Sequence, residues 1–265
     1  MFDINILLRL TRIKTFLPKL IFIFPLIFLI SQQNLFSYKT IIVFLANVFL
    51  TASGYAINDV EDAEDDYHDL KKRKRNPISN GDLTREQGYL ITFLLLFIGL
   101  SLLLTISYLV FLVGSALISV GIIYSWKPIR LKSKPIIDLI SHAIACGSLQ
   151  FSIAYLAFRS FDLLFISFLM VVIPTSFASD ISQQFRDFEV DRKTKINNTL
   201  QKFGESASKK LKVVLTAILM IGCVAISITL NISTLGITGI FVLTLTCLGG
   251  IALLRCDKFF KLYRL

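Results

Sequence analysis

Two acid-rich stretches carry side chains whose spacing suits them to chemistry. In Ser53-Gly-Tyr-Ala-Ile-Asn58-Asp59-Val-Glu-Asp62-Ala-Glu-Asp-Asp66, the residues Asp59, Asp62 and Asp66 stand at i, i+3 and i+7. On a 3.6-residue helix that spacing sets three carboxylates on one face across two turns. In Asp180-Ile-Ser-Gln-Gln-Phe-Arg-Asp187-Phe-Glu-Val-Asp191-Arg-Lys193, the acids Asp180, Asp187 and Asp191 stand at i, i+7 and i+11, with Gln184 at the turn between. Like charges stacked this way repel, and an acid at the centre of a membrane helix costs ~2.5–3.5 kcal/mol, so a cation must compensate them. Donors that are all oxygen suit a hard divalent ion such as Mg2+, which keeps some waters and takes phosphate oxygens of a substrate as further ligands. Facing each other, two such helix ends would hold one or two metal ions with a diphosphate bridging them. The bland alternative for the first stretch is a solvated helix end that balances Lys71 to Arg75; a second stretch built alike argues against it.

The elements that must position these acids are membrane helices. The 265 residues are 54% apolar and only 17% charged, with a mean hydropathy of +0.70. Apolar stretches at 16–31, 40–57, 88–105, 107–124, 136–157, 161–179, 213–230 and 235–253 give eight candidate spans, each near the length that fills a ~30 Å hydrocarbon slab. This excludes a soluble globular domain, a disordered chain and a fibre, and the lack of period-two alternation excludes a transmembrane barrel. The first stretch resembles a signal peptide, with Arg9, Arg12 and Lys14 ahead of it, but no small-x-small cleavage site follows, so it is read as a span. The fold class is therefore all-α, a polytopic transmembrane bundle forming a single domain over 1–265.

All but Lys39 and Arg159 of the 28 Lys and Arg lie at alternate span ends. The positive-inside rule then places both termini and the three long loops in the cytoplasm, in a protein of the cell membrane. The acid stretches lie on that side. A net charge of +10 explained by orientation in the bilayer and by contact with membrane lipids needs no nucleic acid as partner. Cys146, Cys223, Cys247 and Cys256 have no metal spacing and read as small hydrophobes. Asp138 and His142, at i and i+4 within the fifth span, either orient or deprotonate a substrate or form a hydrogen-bonded pair that closes a helix interface.

Asn58-Asp-x-x-Asp62-x-x-x-Asp66, then Arg75-Asn-Pro-x-x-x-Gly81, then Tyr124-Ser-x-x-Pro-x-Arg130-Leu-Lys132, then Asp180…Asp187-x-x-x-Asp191-Arg-Lys193 with Thr199 and Gly204 after it, together resemble the UbiA superfamily of intramembrane prenyltransferases. The resemblance covers roughly residues 40–210 in the family's order. It implies helices around a central cavity open to the cytoplasmic side, and a Mg2+-dependent enzyme that moves the polyprenyl group of a polyprenyl diphosphate onto a lipophilic, commonly aromatic, acceptor. Matching positions implies that Asn58, Asp59, Asp62 and Asp66 hold one Mg2+ and Asp180, Asp187 and Asp191 another. Arg75, Lys127, Arg130, Lys132 and Lys193 would contact the diphosphate, Tyr124 would hydrogen-bond there, and His142 would face the acceptor. The chain departs from the family pattern in having eight spans rather than nine, in Arg75-Asn76-Pro77 where members often have Arg-Pro, and in Lys195 where a small residue is common.

Two other readings use the same residues. Phosphoribosyl transfer from a sugar diphosphate to polyprenyl phosphate would need a more polar cavity above Asn58. A transporter would place its acids halfway along several helices, whereas here nearly all sit at the ends.

Overall fold

The computed structural model describes residues 3–20, 37–193 and 196–229. Those residues fold as helices joined by short turns. Among the described residues five helices are long and apolar enough to cross a membrane: α3 (Tyr38–Glu61), α6 (Arg85–Leu104), α7 (Tyr108–Ser125), α8 (Ile137–Leu156) and the greater part of α9 (Leu163–Lys193). They match the expected spans at 40–57, 88–105, 107–124, 136–157 and 161–179. The expected span at 213–230 falls in α10 (Thr199–Thr229), whose apolar part Val213–Ile226 is shorter than a bilayer crossing. Most of the stretch at 16–31 and all of 235–253 lie outside the described residues. Shorter helices are α1 (Ile4–Leu10), α2 (Ile13–Leu20), α4 (Ala63–Tyr67) and α5 (Leu70–Arg75).

The helix starts follow from local chemistry. Ser37 accepts the Thr40 N–H at α3, Ser107 accepts the Val110 N–H at α7, and Thr84 and Gln87 form a reciprocal capping box at α6. The chain packs into two compact units: residues 1–131 with 149–160, and 132–148 with 161–265. In the first, α3 is the central helix, packed by α6, α7, α2 and the end of α8. Val43, Ala46 and Leu50 of α3 are buried in that unit. Leu90, Phe93, Leu94 and Phe97 of α6 are exposed, as expected of a surface that faces acyl chains.

In the second unit α9 packs along α10 around Leu139, Ala178, Ile181, Leu215 and Leu219. Pro174 lies inside α9, where it has no N–H to give the carbonyl of Met170. Gly222 of α10 meets that turn; a Cβ there would lie 2.9 Å from Met170 backbone carbon. Gly204 breaks α10 near its start at φ 79°, a conformation that glycine adopts without a Cβ clash. The middle turn of α8, Ala143–Leu149, is wound as a π-helix directly after His142.

Candidate active site

The first acid region is built on the end of α3 and on α4. α3 stops at Glu61, and Asp62 turns the chain into α4 while its N–H still bonds the Asn58 carbonyl at 2.9 Å. The three acids expected on one face therefore stay close in sequence register but take different partners. Asp59 is fully buried and pairs with Arg12, whose Nε also lies 3.4 Å from Asp59 Oδ2. Asp62 pairs with Arg130 at 3.0 Å, and the same guanidinium reaches Asp65. Asp66 pairs with Arg75 at 3.2 Å, and Arg75 also lies 3.8 Å from Asp59. Arg75 thus bridges the first and last acids of the motif. Lys127 pairs with Glu64, and Asn58 Oδ1 accepts from Ser125 Oγ at 3.1 Å.

The loop after α7 accordingly lies on the first acid motif, as far as Arg130. Tyr124 is half-buried there, and Lys132 is half-buried in the short 3-10 turn Leu131–Ser133.

Sequence reading missed three residues here. Arg12 was counted with Arg9 and Lys14 as an orientation charge, yet it sits in the turn between α1 and α2 at φ 50°, with its guanidinium 5.4 Å from the Tyr55 ring centroid. Phe16 stacks on the other partner in this contact, at 5.6 Å from Tyr55, so the N-terminal helices are fastened to α3 through a buried ion pair and two rings. Asn76 is buried and donates to the Asp59 carbonyl at 2.8 Å and to Asp66 Oδ2 at 3.0 Å, while its Oδ1 accepts the Ile78 N–H. The Asn-Pro pair read as a turn is thus also a strut for the acid motif. Glu61 is buried, accepting from Tyr89 OH at 2.7 Å and from the Lys127 N–H at 3.1 Å. Its signal was an acid at the polar edge of an apolar span.

The second acid region lies on α9 and at the start of α10. α9 runs unbroken through Asp180, Asp187 and Asp191, so Asp187 lies about 10 Å along the axis from Asp180 and Asp191 one turn further. Asp180 and Asp191 are buried and Asp187 half-buried. Gln184 donates to Asp138 at 2.8 Å and to Asp180 at 3.2 Å, sharing one amide between two buried acids. Asp138 also accepts the Thr199 N–H at 2.7 Å, and Gln184 Oε1 accepts the Leu200 N–H at 3.0 Å. Asn198 takes the Gln201 N–H and donates to Asp191 Oδ2 at 2.8 Å. Three successive N–H groups at the start of α10, which no helix carbonyl can satisfy, are therefore held by Asp138, Gln184 and Asn198. Asp138 is a helix cap. His142 Nδ1 lies 3.1 Å from Ser176 Oγ, which also donates to the His142 carbonyl at 3.3 Å. The side chain of Lys193 and residues 194–195 lie outside the described residues.

Among the described residues no three His, Cys, Asp or Glu side chains converge into a ready cage for a metal. In the first region guanidinium groups hold the places beside the carboxylates. The donors still fit Mg2+: Asn58, Asp62 and Asp66 offer only oxygen, and each acid is kept with a cation beside it. Arg75 Nε is buried with no acceptor among the described residues, a donor left over for an anionic oxygen.

The model of the UbiA prenyltransferase family matches residues 19–264. The chain belongs to this family. Its fold is that of solved UbiA homologues. The homologue from Archaeoglobus fulgidus bound to GPP and Mg2+ aligns with a TM-score of 0.75 at 22% identity, over 93% of this chain and 86% of that one. The apo homologue from Aeropyrum pernix K1 aligns with a TM-score of 0.69 at 17% identity, over 99% and 94%. A structure concerned with digeranylgeranylglyceryl phosphate synthase in membranes aligns with a TM-score of 0.67 at 19% identity, over 96% and 88%. Among curated proteins none matches the sequence significantly. This UbiA-family chain is an integral membrane protein of the prenyltransferase type.

Proposed function

We propose that this UbiA-family protein transfers a polyprenyl group from an allylic polyprenyl diphosphate to a lipophilic, aromatic acceptor, with release of diphosphate, and that 1–265 acts as one domain with both acid regions at the cytoplasmic surface. The observation that carries the reading is the first acid motif, in which every carboxylate is held ready beside a cation, in a chain whose fold matches a homologue solved with GPP and Mg2+. In the reaction the allylic C–O bond breaks heterolytically, its electron pair leaves with the diphosphate, a bond forms between the allylic carbon and the acceptor, and the acceptor loses a proton.

Mg2+, when bound, stabilises the charge that grows on the departing diphosphate. Asn58, Asp59, Asp62 and Asp66 would hold one ion and Asp180, Asp187 and Asp191 another. Asp59 pairs with Arg12 as Asp62 does with Arg130 and Asp66 with Arg75, and Asp180 shares Gln184 with Asp138. Arg75, Arg130 and Lys127 would turn from carboxylate to phosphate oxygens as the ion arrives, with Lys132, Lys193 and Tyr124 as further contacts. His142, oriented by Ser176, would face the acceptor. A site set in apolar membrane helices would keep water from the allylic cation.

The test uses purified protein in detergent with geranylgeranyl diphosphate, Mg2+ and a lipid extract of the host, with the product identified by mass. A prenylated lipid is expected, and its mass names the acceptor. Asp62→Ala and Asp187→Ala should each lower turnover at least ~10²-fold while the protein stays folded, and EDTA should abolish it until Mg2+ is restored. Near-normal turnover in either variant, or resistance to chelation, would overturn the reading.

A further inference from the structure

A cavity of about 540 Å3 opens between α4, α5, the turn at 78–81 and the first residue of α6. Its wall carries Tyr67, His68, Arg73, Ser79 and Arg85. The Arg73 guanidinium lies 4.0 Å from the Tyr67 ring centroid, and the Tyr67 and His68 rings meet edge to face at 5.9 Å. Among the described residues Arg73 has no carboxylate partner. Arg85 reaches Glu64 at 3.4 Å, but that acid is also bonded to Lys127 and its side chain is 66% exposed. Two guanidinium groups and an imidazole thus line a pocket whose only acid is shared and solvated, and such a pocket takes an anion with several acceptor oxygens. None of these three basic side chains pairs with Asp59, Asp62 or Asp66; the pocket meets the proposed diphosphate contacts at Glu64, which Arg85 shares with Lys127.

Its depth in the bilayer indicates which anion. α6 begins at Arg85, and Tyr89 follows one turn later on the same face, exposed along its ring and bonded through its OH to Glu61. From there Leu90, Phe93 and Phe97 are exposed along the helix. In a membrane helix such an apolar band meets acyl chains, and a tyrosine at its edge marks the interface. Arg85 lies about 6 Å before Tyr89 along the axis, which is the level of lipid phosphates. A soluble anion would use only the basic pocket, whereas a phospholipid would fill it with its headgroup and lay its chains along the exposed band.

We propose that this pocket binds the headgroup of an anionic phospholipid, with Arg73 and Arg85 on the phosphate. Arg73 pairs with no acid proposed for the transfer chemistry, so its variants test this site apart from that reading.

The experiment places the full chain in nanodiscs of phosphatidylcholine alone or of phosphatidylcholine mixed with phosphatidylglycerol, and reads the thermal midpoint together with the phosphatidylglycerol retained in native mass spectrometry. Phosphatidylglycerol should raise the midpoint and stay bound. Arg73→Gln and Arg85→Gln should each lower its apparent affinity about fivefold, while Arg73→Lys keeps most of the response. Millimolar inorganic phosphate in phosphatidylcholine nanodiscs should give no shift. Equal phosphatidylglycerol responses in the wild type and both Gln variants would overturn the site, and a rise with inorganic phosphate equal to that with lipid would assign it to a soluble anion instead. Because Arg73 is on a short surface helix and pairs with no acid among the described residues, Arg73→Gln keeps the test readable if Arg85→Gln does not insert.

Discussion

The two acid regions differ in what holds their charge. On α3 and α4 each motif acid has a guanidinium beside it: Arg12 on Asp59, Arg130 on Asp62 and Arg75 on Asp66. On α8 and α9, Asp138 and Asp180 share the amide of Gln184, Asp138 caps α10, and neither has a cationic partner among the described residues. The first arrangement stores fixed positive charge at a set of carboxylates. The second uses Asp138 and Asp180 as hydrogen-bond acceptors for backbone and amide groups. The same residue type thus serves as an ionic centre at Asp59, Asp62 and Asp66 and as a helix-end scaffold at Asp138.

Equivalent substitutions in the two regions should therefore have unequal costs. Arg12→Ala leaves Asp59 buried without its nearest cation and should destabilise the protein by about 3–5 kcal/mol, read from denaturant unfolding in detergent. Adding Asp59→Asn to Arg12→Ala should recover most of that loss; a double variant as unstable as the single one would show that Arg12 acts through packing on Tyr55 rather than through charge. In the second region Asp138→Asn keeps an acceptor oxygen for the Thr199 N–H and should cost about 1 kcal/mol, whereas Asp138→Ala, which removes the cap, should cost about 2 kcal/mol. A loss for Asp138→Asn as large as that for Arg12→Ala would remove the distinction between the regions.

The smallest effect concerns Glu64. The hydrogen bond and charge of Lys127 hold the Glu64 carboxyl below the usual glutamate range, with Arg85 adding to the shift. A folded-state value below the unfolded one adds stability above the unfolded pKa of about 4.3 and loses it as pH falls through the folded value. Lys127→Met should therefore be less stable than the wild type at neutral pH by a few tenths of a kcal/mol, a figure kept small by solvent around Glu64. The gap should close in acid, and thermal midpoints measured across that range would sharpen how far solvent screens the first region.

Much of the fold was legible because hydropathy over some twenty residues reports burial in a bilayer without knowledge of any neighbour. The spans at 40–57, 88–105, 107–124, 136–157 and 161–179 correspond to helices within a few residues, and Ser37, Thr84 and Ser107 mark three starts by their own side chains. The acids of both motifs were legible for the same local reason, since helical spacing alone groups them. The partner the structure gives Asp138, the Thr199 N–H, lies 61 residues further on and had no signal in the sequence near it. For His142, the structure supplies Ser176 as the orienting partner.

Sequence alone determined the class of the molecule, the places of its long apolar helices and the grouping of its acids, because those properties follow from residue type and short-range period. Tertiary structure decided which cation each carboxylate meets. Arg12 reaches Asp59 across 47 residues and Arg130 reaches Asp62 across 68; a charge in a loop has no period that points to its partner, and only the folding of the chain brings the two within range of a strong Coulomb attraction.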